Sequence, residues 1–534
     1  MMMARTRRTI LHTLGGLLLV LFAASGTAPA ATSEVVLTIL HTNDMHGRAL
    51  ATEPMTDEGP GGLARIATMA KTIKAANPVS IFLDAGDAVQ GTPTEFMNFG
   101  TSMIRAMNAA GYDGITLGNH EFDWSATRTA DLVRLCNFPA FAANVRSTAT
   151  GGVWLPARES FIYTRGPLKI AVFGLATPGT VPLQWPPTIK GLRFEDPIAT
   201  AKRIVPELRS KADVVICLSH LGYTDDRVLA ASVSGIDFII GGHSHTILND
   251  RLKIGTAYIA HAGSYSRHLG RIDAKFRQTT SGWALDSVNG ANGLWWTGAG
   301  YPGTALIPVT EEQPSDSLVR NSYSDAWNRT QTMLSEVIGE APRAIPGEGG
   351  ATNPKPVQVL LADLLREAVY ADVGVIDGAW GTDLPAGIVT SKTIYEMVTG
   401  YTRQNVVVVR AKGSDIRKAV ERIYGSDKFR YFGGIYGSIA RTAQGVQWRD
   451  ARIGRLALNE SKEYRLAAPS YLIMDTPEFA NCPVISDRVG WVKPLIIDAI
   501  RKRRVLTVPD DVMLPSKPAP IQKPSAATGL QVMP

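Results

Sequence analysis

Cysteine is scarce in this chain: three in 534 residues, at Cys136, Cys217 and Cys482. An odd number cannot pair completely within one chain, and Cys217 sits in the apolar run Val214–Leu218. These thiols therefore read as core residues with at most one disulfide, rather than catalytic or metal-binding groups. A strong charge of one sign is also missing. The formal net charge is +7, and residues 1–30 contribute Arg5, Arg7 and Arg8 with no acid, which leaves about +4 for the rest. No arginine-rich run with interleaved aromatics occurs, so nucleic acid is not an expected partner. There is no internal repeat. The first apolar run, Leu11 to Ala24, is too short to favour a membrane-spanning helix. No cysteine follows it to carry a lipid anchor, so no stable membrane anchor is expected.

What is present fits a soluble globular protein, with 45% hydrophobic and 19% charged residues. At this length two or more domains are expected. Thr6-Arg7-Arg8-Thr9-Ile10-Leu11 is a twin-arginine pattern, and Ala28-Pro29-Ala30 after the apolar run is a small-x-small cleavage site. Residues 1–30 thus read as an export signal, and the mature chain as periplasmic or secreted.

From about residue 34 to 277 short β-rich runs alternate with helical patterns, which predicts an α/β layered domain. A helix is expected around Met97 to Ala110. Residues 278–355 read as a linker: a Gly-, Ser- and Trp-rich hairpin region, then a bridging helix over Ser315 to Ala341, then Pro and Gly punctuation. A second domain is expected over 356–513, opening on the helical face Val357, Leu360, Leu361, Leu364, Leu365 and Ala368. The Pro-, Lys- and Ala-rich tail 514–534 reads as disordered.

Chemistry-bearing residues gather where the predicted strands end. They are Asp44 and His46, Asp87, the run Gly118-Asn119-His120-Glu121-Phe122-Asp123, His220, and His243 with His245. Only nine histidines occur, and five of the eight beyond His12 fall in these clusters. Mixed imidazole, carboxylate and amide donors suit Zn, Mn or Fe better than a pure magnesium site. Two divalent ions can ionise a water and relieve charge on a phosphoryl group, and Asp87 is the natural bridging carboxylate. His120 need not bind metal. It can give or take a proton near neutral pH, with Asp123 accepting its other N–H.

In this order, Asp-x-His, Gly-Asp, Gly-Asn-His-Glu, His and Gly-His-x-His resemble the calcineurin-like metallophosphoesterases. Asn43-Asp44-Met45-His46-Gly47 and Gly118–Asp123 narrow the resemblance to the 5'-nucleotidase / 2',3'-cyclic phosphodiesterase / UDP-sugar hydrolase family; Gly61–Arg65 and Asp383–Gly387 also look like it. The resemblance implies a four-layer αββα metallophosphoesterase domain followed by a smaller α/β 5'-nucleotidase-like C-terminal domain. It implies one metal ion on Asp44, His46, Asp87 and His245. A second would sit on Asp87, Asn119, His220 and His243, with His120 and Asp123 as catalytic dyad. The implied substrates are small nucleotides or other phosphoesters. Asn144 matches a family asparagine near the site. Arg403, Arg410, Phe432, Tyr436 and Phe479 are candidates for a substrate pocket in the second domain.

The second domain departs from the family pattern. Ile376–Thr382 lacks the arginine expected before Asp-Leu-Pro-Ala-Gly, and Met474–Phe479 stands where a Gly-Gly-Asp-Gly-aromatic signature is usual. Trp380-Gly381-Thr382 resembles the thiosulfohydrolases of the sulfur-oxidation system instead. That supports an alternative, hydrolysis of a sulfonate held on a carrier protein's cysteine. A non-catalytic, metal-bound ligand-binding protein is a third reading. The intact Gly-Asn-His-Glu box favours phosphoester hydrolysis.

Overall fold

The computed structural model describes residues 33–51, 56–249, 252–288, 306–347, 355–400, 405–426, 430–443 and 445–508. The export signal, the tail 514–534 and Arg403 lie outside the described residues.

The first half builds two facing sheets. In one, strands Glu34–Thr42, Ser80–Asp84, Gly114–Thr116 and Ala140–Phe141 run parallel, and His268–Thr279 pairs antiparallel with the first of them. In the other, Leu168–Ala176, Val214–His220, Phe238–Gly241 and Ala257–His261 run parallel, with antiparallel strands at both edges. Side-chain alternation assigns the layers. Leu37, Ile39, Ile81 and Leu83 point inward to meet Val172, Ile216 and Ile240 of the facing sheet. Leu40 and Phe82 point outward, under the helices Leu63–Ala76 and Thr101–Ala110. Val215 and Cys217 point to the opposite outer face, under Pro197–Arg209 and Tyr223–Ser232. Each central strand is buried on both faces, so it reads as a continuous apolar run. The result is the four-layer αββα order. All three cysteines are free thiols.

Two local differences from the sequence reading matter later. The helix expected around Met97 to Ala110 is two helices, Pro93–Asn98 and Thr101–Ala110, broken where Phe99 and Gly100 both turn left-handed at φ 49° and 77°. The first sheet also runs on past residue 277, with Gly282–Val288 and Leu306–Pro308 both pairing with His268–Thr279.

The bridging helix is shorter than its propensity suggests, Ser317–Leu334, because Val337–Ala341 pairs with Gly387–Thr390 as a strand. Val319 and Tyr323 of this helix are buried in the first core and Leu334 in the second. The second domain is a five-stranded mixed sheet ordered Arg430–Gly433, Val373–Asp377, Glu463–Pro469, Asn405–Lys412, Val484–Trp491. Helices Pro356–Ala368 and Val492–Arg503 cover one face, and Gly413–Tyr424 the other. Two aromatic side chains of the first domain are buried in these cores. Phe96 lies edge-on to Tyr395 and Trp491, and Trp185 joins the cluster of Phe432 and Phe479. No helix among the described residues is long and apolar enough to cross a membrane.

Candidate metal centre

Parallel strands bring their C-terminal ends to one edge, which is where open α/β sheets place ligands. Asp44 and His46 follow strand Glu34–Thr42, Asp87 follows Ser80–Asp84, and Asn119 follows Gly114–Thr116. His220 ends its strand, and His243 and His245 follow Phe238–Gly241. The turns that aim them are strained. Asp44, His46, Asp87, His243 and His245 all have φ between 47° and 72°. Each such non-glycine residue costs roughly 1–3 kcal/mol and persists only where its surroundings impose it. Gly118 is required by space, since a Cβ there would sit 2.1 Å from Asp87 Oδ1.

Two groups of side chains converge, Asp44, His46 and His245, and Asp87, His220 and His243. His46 Nε2 is 3.0 Å from His245 Nε2, and His245 Nε2 is 3.5 Å from Asp44 Oδ1. His220 Nε2 is 3.0 Å from Asp87 Oδ2. The backbone carbonyl of Ala85 accepts from His220 Nδ1 at 2.7 Å, which leaves Nε2 for the centre. Asn119 Oδ1 is buried without a hydrogen-bond partner. An unpaired buried acceptor costs roughly 1–3 kcal/mol, and a cation among these donors would satisfy it. The two groups are candidate sites for divalent metal ions.

His120 stands beside this centre on a separate support. Its Nδ1 is 2.9 Å from Asp123 Oδ2, and its Nε2 looks toward Asp87 Oδ2 at 4.0 Å. His46, Asp87, Asn119, His120, Asp123, His243 and His245 open on one cleft of about 490 Å³, also lined by Arg48, Gln90, Leu183, Gln184, Tyr265 and Gly400, with Asp44 and His220 buried beneath it.

The electrostatics separate the groups. Burial pushes the Asp44 carboxyl up to about 7, although His220 works against it. Burial would also raise Asp87, but His220 and His120 outweigh it and hold its carboxyl well below the usual range. Burial opposes charge on His220 and His120, yet Asp87 lifts His220 to about 10, and Asp123 with Asp87 lifts His120 to about 9. Burial and the neighbouring His220 push His243 down to about 4, and burial lowers His46 and His245. So His120 and His220 are held protonated, while His46, His243 and His245 are held neutral.

Several residues that shape the site were not singled out from sequence. Glu121 accepts from the backbone N–H of Gly118, Asp87 and Ala88 at 2.7, 3.0 and 2.9 Å, locking two ligand loops together. Its place in Gly-Asn-His-Glu was the available signal. Asn43 donates to Asp44 Oδ2 at 2.6 Å and to the Gly263 carbonyl. Gln184 donates to Asp123 Oδ1 at 2.6 Å. The Arg48 guanidinium lies 4.7 Å from the Tyr265 ring centroid and donates to the His46 and Gly91 carbonyls. Asn43 stands in the Asn-Asp-Met-His-Gly motif, whereas neither Gln184 nor Arg48 belongs to a motif that sequence spacing reveals.

Among the described residues, the expected substrate residues do not line this cleft. The Asn144 amide is spent on Ala176 and the Glu195 carbonyl, pinning strand ends rather than lining the cleft. Phe432 and Phe479 are core residues, each 1% exposed. Arg410 lies on the outer surface near Glu463, at 3.6 Å. Tyr436 belongs to the small meander sheet, where its carbonyl accepts from Trp448 Nε1. Trp380-Gly381-Thr382 is a turn at the second core: Trp380 is buried, Gln358 Nε2 donates to the Trp380 and Gly381 carbonyls, and Gly381 N–H donates to Met397.

With this geometry established, comparison with known proteins is specific. Residues 37–246 match the family model for calcineurin-like phosphoesterase, and residues 337–481 match the 5'-nucleotidase C-terminal domain. A 5'-nucleotidase of Bos taurus is 36% identical over 225 residues, covering 40% of this chain and 38% of that protein. The chain thus spans under half the length of the mammalian relatives it matches. A 5'-nucleotidase of Vibrio cholerae is 25% identical over 534 residues, covering 89% of this chain and 92% of its own length. A crystal structure of a 5'-nucleotidase precursor from Thermus thermophilus superposes with TM-score 0.61 at 22% identity, over 90% of this chain and all of that one, which supports the fold.

Proposed function

We propose, for a chain that belongs to the calcineurin-like phosphoesterases carrying a 5'-nucleotidase C-terminal domain, that it is an exported hydrolase of small phosphate esters using two divalent metal ions. One observation carries the reading. Two groups of imidazole and carboxylate donors meet at the foot of one cleft, and a separately supported His120–Asp123 pair opens on that cleft beside them. Asp44, His46, Asp87 and His245 would hold one ion, and Asp87, Asn119, His220 and His243 the other. When bound, such ions ionise water and offset phosphoryl charge at neutral pH.

The chain's own residues do the rest. Asp123 accepts a hydrogen bond from His120 Nδ1–H and fixes the ring, so that Nε2 presents a proton to the cleft. With the imidazole raised to about 9, that proton is in place at neutral pH for the transferring group or the leaving oxygen. Arg48, stacked on Tyr265 at the cleft wall, adds a fixed positive charge facing an anionic substrate.

Nucleoside monophosphates are the substrate class favoured by the relatives named 5'-nucleotidase, and the sequence resemblance adds 2',3'-cyclic nucleotides and UDP-sugars. The twin-arginine pattern supports export to the periplasm or medium. Trp380-Gly381-Thr382, one motivation of the carrier-bound sulfonate alternative, forms a turn at the second core and does not line the cleft. The test is a substrate screen on metal-loaded protein. AMP, a 2',3'-cyclic nucleotide or UDP-glucose is expected to turn over, with loss on chelation and a drop of about 10²–10⁴-fold in kcat for His120→Ala. Turnover that survives His120→Ala unchanged overturns the assigned role.

A further inference from the structure

Two consecutive side chains, Gln184 and Trp185, are buried in different parts of the molecule. They lie between the short helix Thr180–Leu183 and the turn Pro186–Ile189. Gln184 is 2% exposed and faces the cleft. Its Nε2 donates to Asp123 Oδ1 at 2.6 Å and to the backbone carbonyl of Asn119 at 3.0 Å. The other Asp123 oxygen is the one beside His120 Nδ1. One carboxylate is thus shared between an imidazole and an amide, and the same amide touches the backbone of a candidate metal ligand.

Trp185 is 8% exposed and belongs to the apolar cluster of Val375, Phe432, Leu472 and Phe479 in the second domain. Its Nε1 is buried without a hydrogen-bond partner, so apolar contact alone keeps the indole there against the cost of an unmade hydrogen bond. The segment between the two anchors has little slack. Gln184 N–H donates to Thr180, and Thr188 donates to the Trp185 carbonyl through both its N–H and its hydroxyl. Ile189 is fixed in the first core.

We infer that Gln184 is a positioning residue for the His120–Asp123 pair, and that Trp185 makes this positioning depend on docking of the second domain. The inference rests on the proposed role of that pair. A carboxylate bonded at only one oxygen can rotate about its Cβ–Cγ bond. A second bond at the other oxygen fixes its plane, and with it the direction of His120 Nε2. Gln184 cannot hold that bond if the residue beside it shifts. Trp185 stays in place only while the second-domain cluster surrounds it. Displacing the second domain therefore either empties the indole's site or pulls Gln184 from Asp123.

The test uses the full metal-loaded chain with AMP as probe. Gln184→Ala is expected to lower kcat about 10- to 100-fold with KM changed less than twofold and metal content unchanged, the size typical of a partner that orients an active group. In a His120→Ala background the same change is expected to cost less than twofold. Trp185→Ala should reproduce the kcat loss, and Trp185→Phe should keep at least half of wild-type kcat. Independently of turnover, hydrogen exchange over residues 118–124 should speed up in both Gln184→Ala and Trp185→Ala, and only Trp185→Ala should raise the solution radius of gyration. A kcat for Gln184→Ala within twofold of wild type overturns the positioning role, as does an undiminished penalty in the His120→Ala background. Unchanged exchange over 118–124 in Trp185→Ala overturns the dependence on docking. If wild type hydrolyses no phosphoester, the proposed function fails, while exchange and scattering still decide the link between the domains.

Discussion

The strand ends of the first domain and the sheet of the second were both read from sequence as sources of site residues, and they differ sharply. In the first, every metal and dyad candidate reaches one cleft rim or the centre beneath it. In the second, Phe432 and Phe479 support the core, Arg410 faces outward and Tyr436 sits in a separate meander. The first set was chosen by motif: short spacings that strained turns convert directly into geometry. The second was chosen by residue type alone, and an aromatic side chain is more often core than contact surface. Spacing carries positional information that type does not.

The comparison breaks most readily at Asp87. Asp87→Ala removes the carboxylate common to both proposed metal positions. It is expected to cut kcat/KM on a phosphoester by about 10³-fold or more, in the range of losing a central electrostatic group, with bound metal falling below one ion per chain by elemental analysis. Arg410→Ala should stay within twofold of wild type. Equal losses in the two variants would erase the distinction.

Next comes Phe479. Phe479→Ala should destabilise by about 3–5 kcal/mol, the usual cost of deleting a buried phenyl ring, and Phe479→Leu by less. KM measured on the folded fraction should hold steady for both. A KM rise at unchanged stability would return Phe479 to the substrate pocket.

Glu95 tests the seam between the two regions. It lies in helix Pro93–Asn98, whose Phe96 is buried in the second domain, and it is itself fully buried, accepting from Ser102 Oγ and the Met103 N–H. Burial pushes its carboxyl up to about 7 from an ordinary 4.5. The folded state therefore keeps a proton that the unfolded state releases. The stabilisation is full below about 4.5, declines as pH rises, and is gone above about 7. At 1.36 kcal/mol per pH unit this is on the order of 3 kcal/mol. Glu95→Gln should flatten this decline, with Tm gaining relative to wild type at pH 8 and little at pH 4. Parallel curves for the two proteins would contradict it.

The smallest effect concerns metal loading. Asp87 raises His220 to about 10, so below that pH a proton competes with metal for its Nε2. Metal affinity of chelator-treated protein, titrated calorimetrically, should weaken by up to about tenfold for each unit that pH falls from 8 to 6. Affinity independent of pH would show that His220 is not a ligand.

Much of the fold was legible because the central strands of both sheets are buried on both faces and read as unbroken apolar runs ending in polar clusters. The break at Phe99 and Gly100 was not, since it comes from a backbone reversal inside an otherwise helical pattern. Nor was the early end of helix Ser317–Leu334, where pairing with Gly387–Thr390 overrides local propensity. In the site, Asp44, His46, Asp87, Asn119, His220, His243 and His245 were visible because each sits in a short motif. Glu121 was in view without a role, because its carboxylate's partners are backbone N–H groups brought to it by folding.

By itself, then, the sequence determined the donor set and the order in which the strands present it. Imidazoles and carboxylates placed two or three residues apart after a strand can point only to that strand's end. Tertiary structure alone decided what holds those donors and what the second domain contributes. Gln184 meets Asp123 across 61 residues, and Trp185 meets the second core across nearly 200 (Val375 is one partner in that cluster). Contacts of that range follow from how layers and domains pack, and no local spacing encodes them.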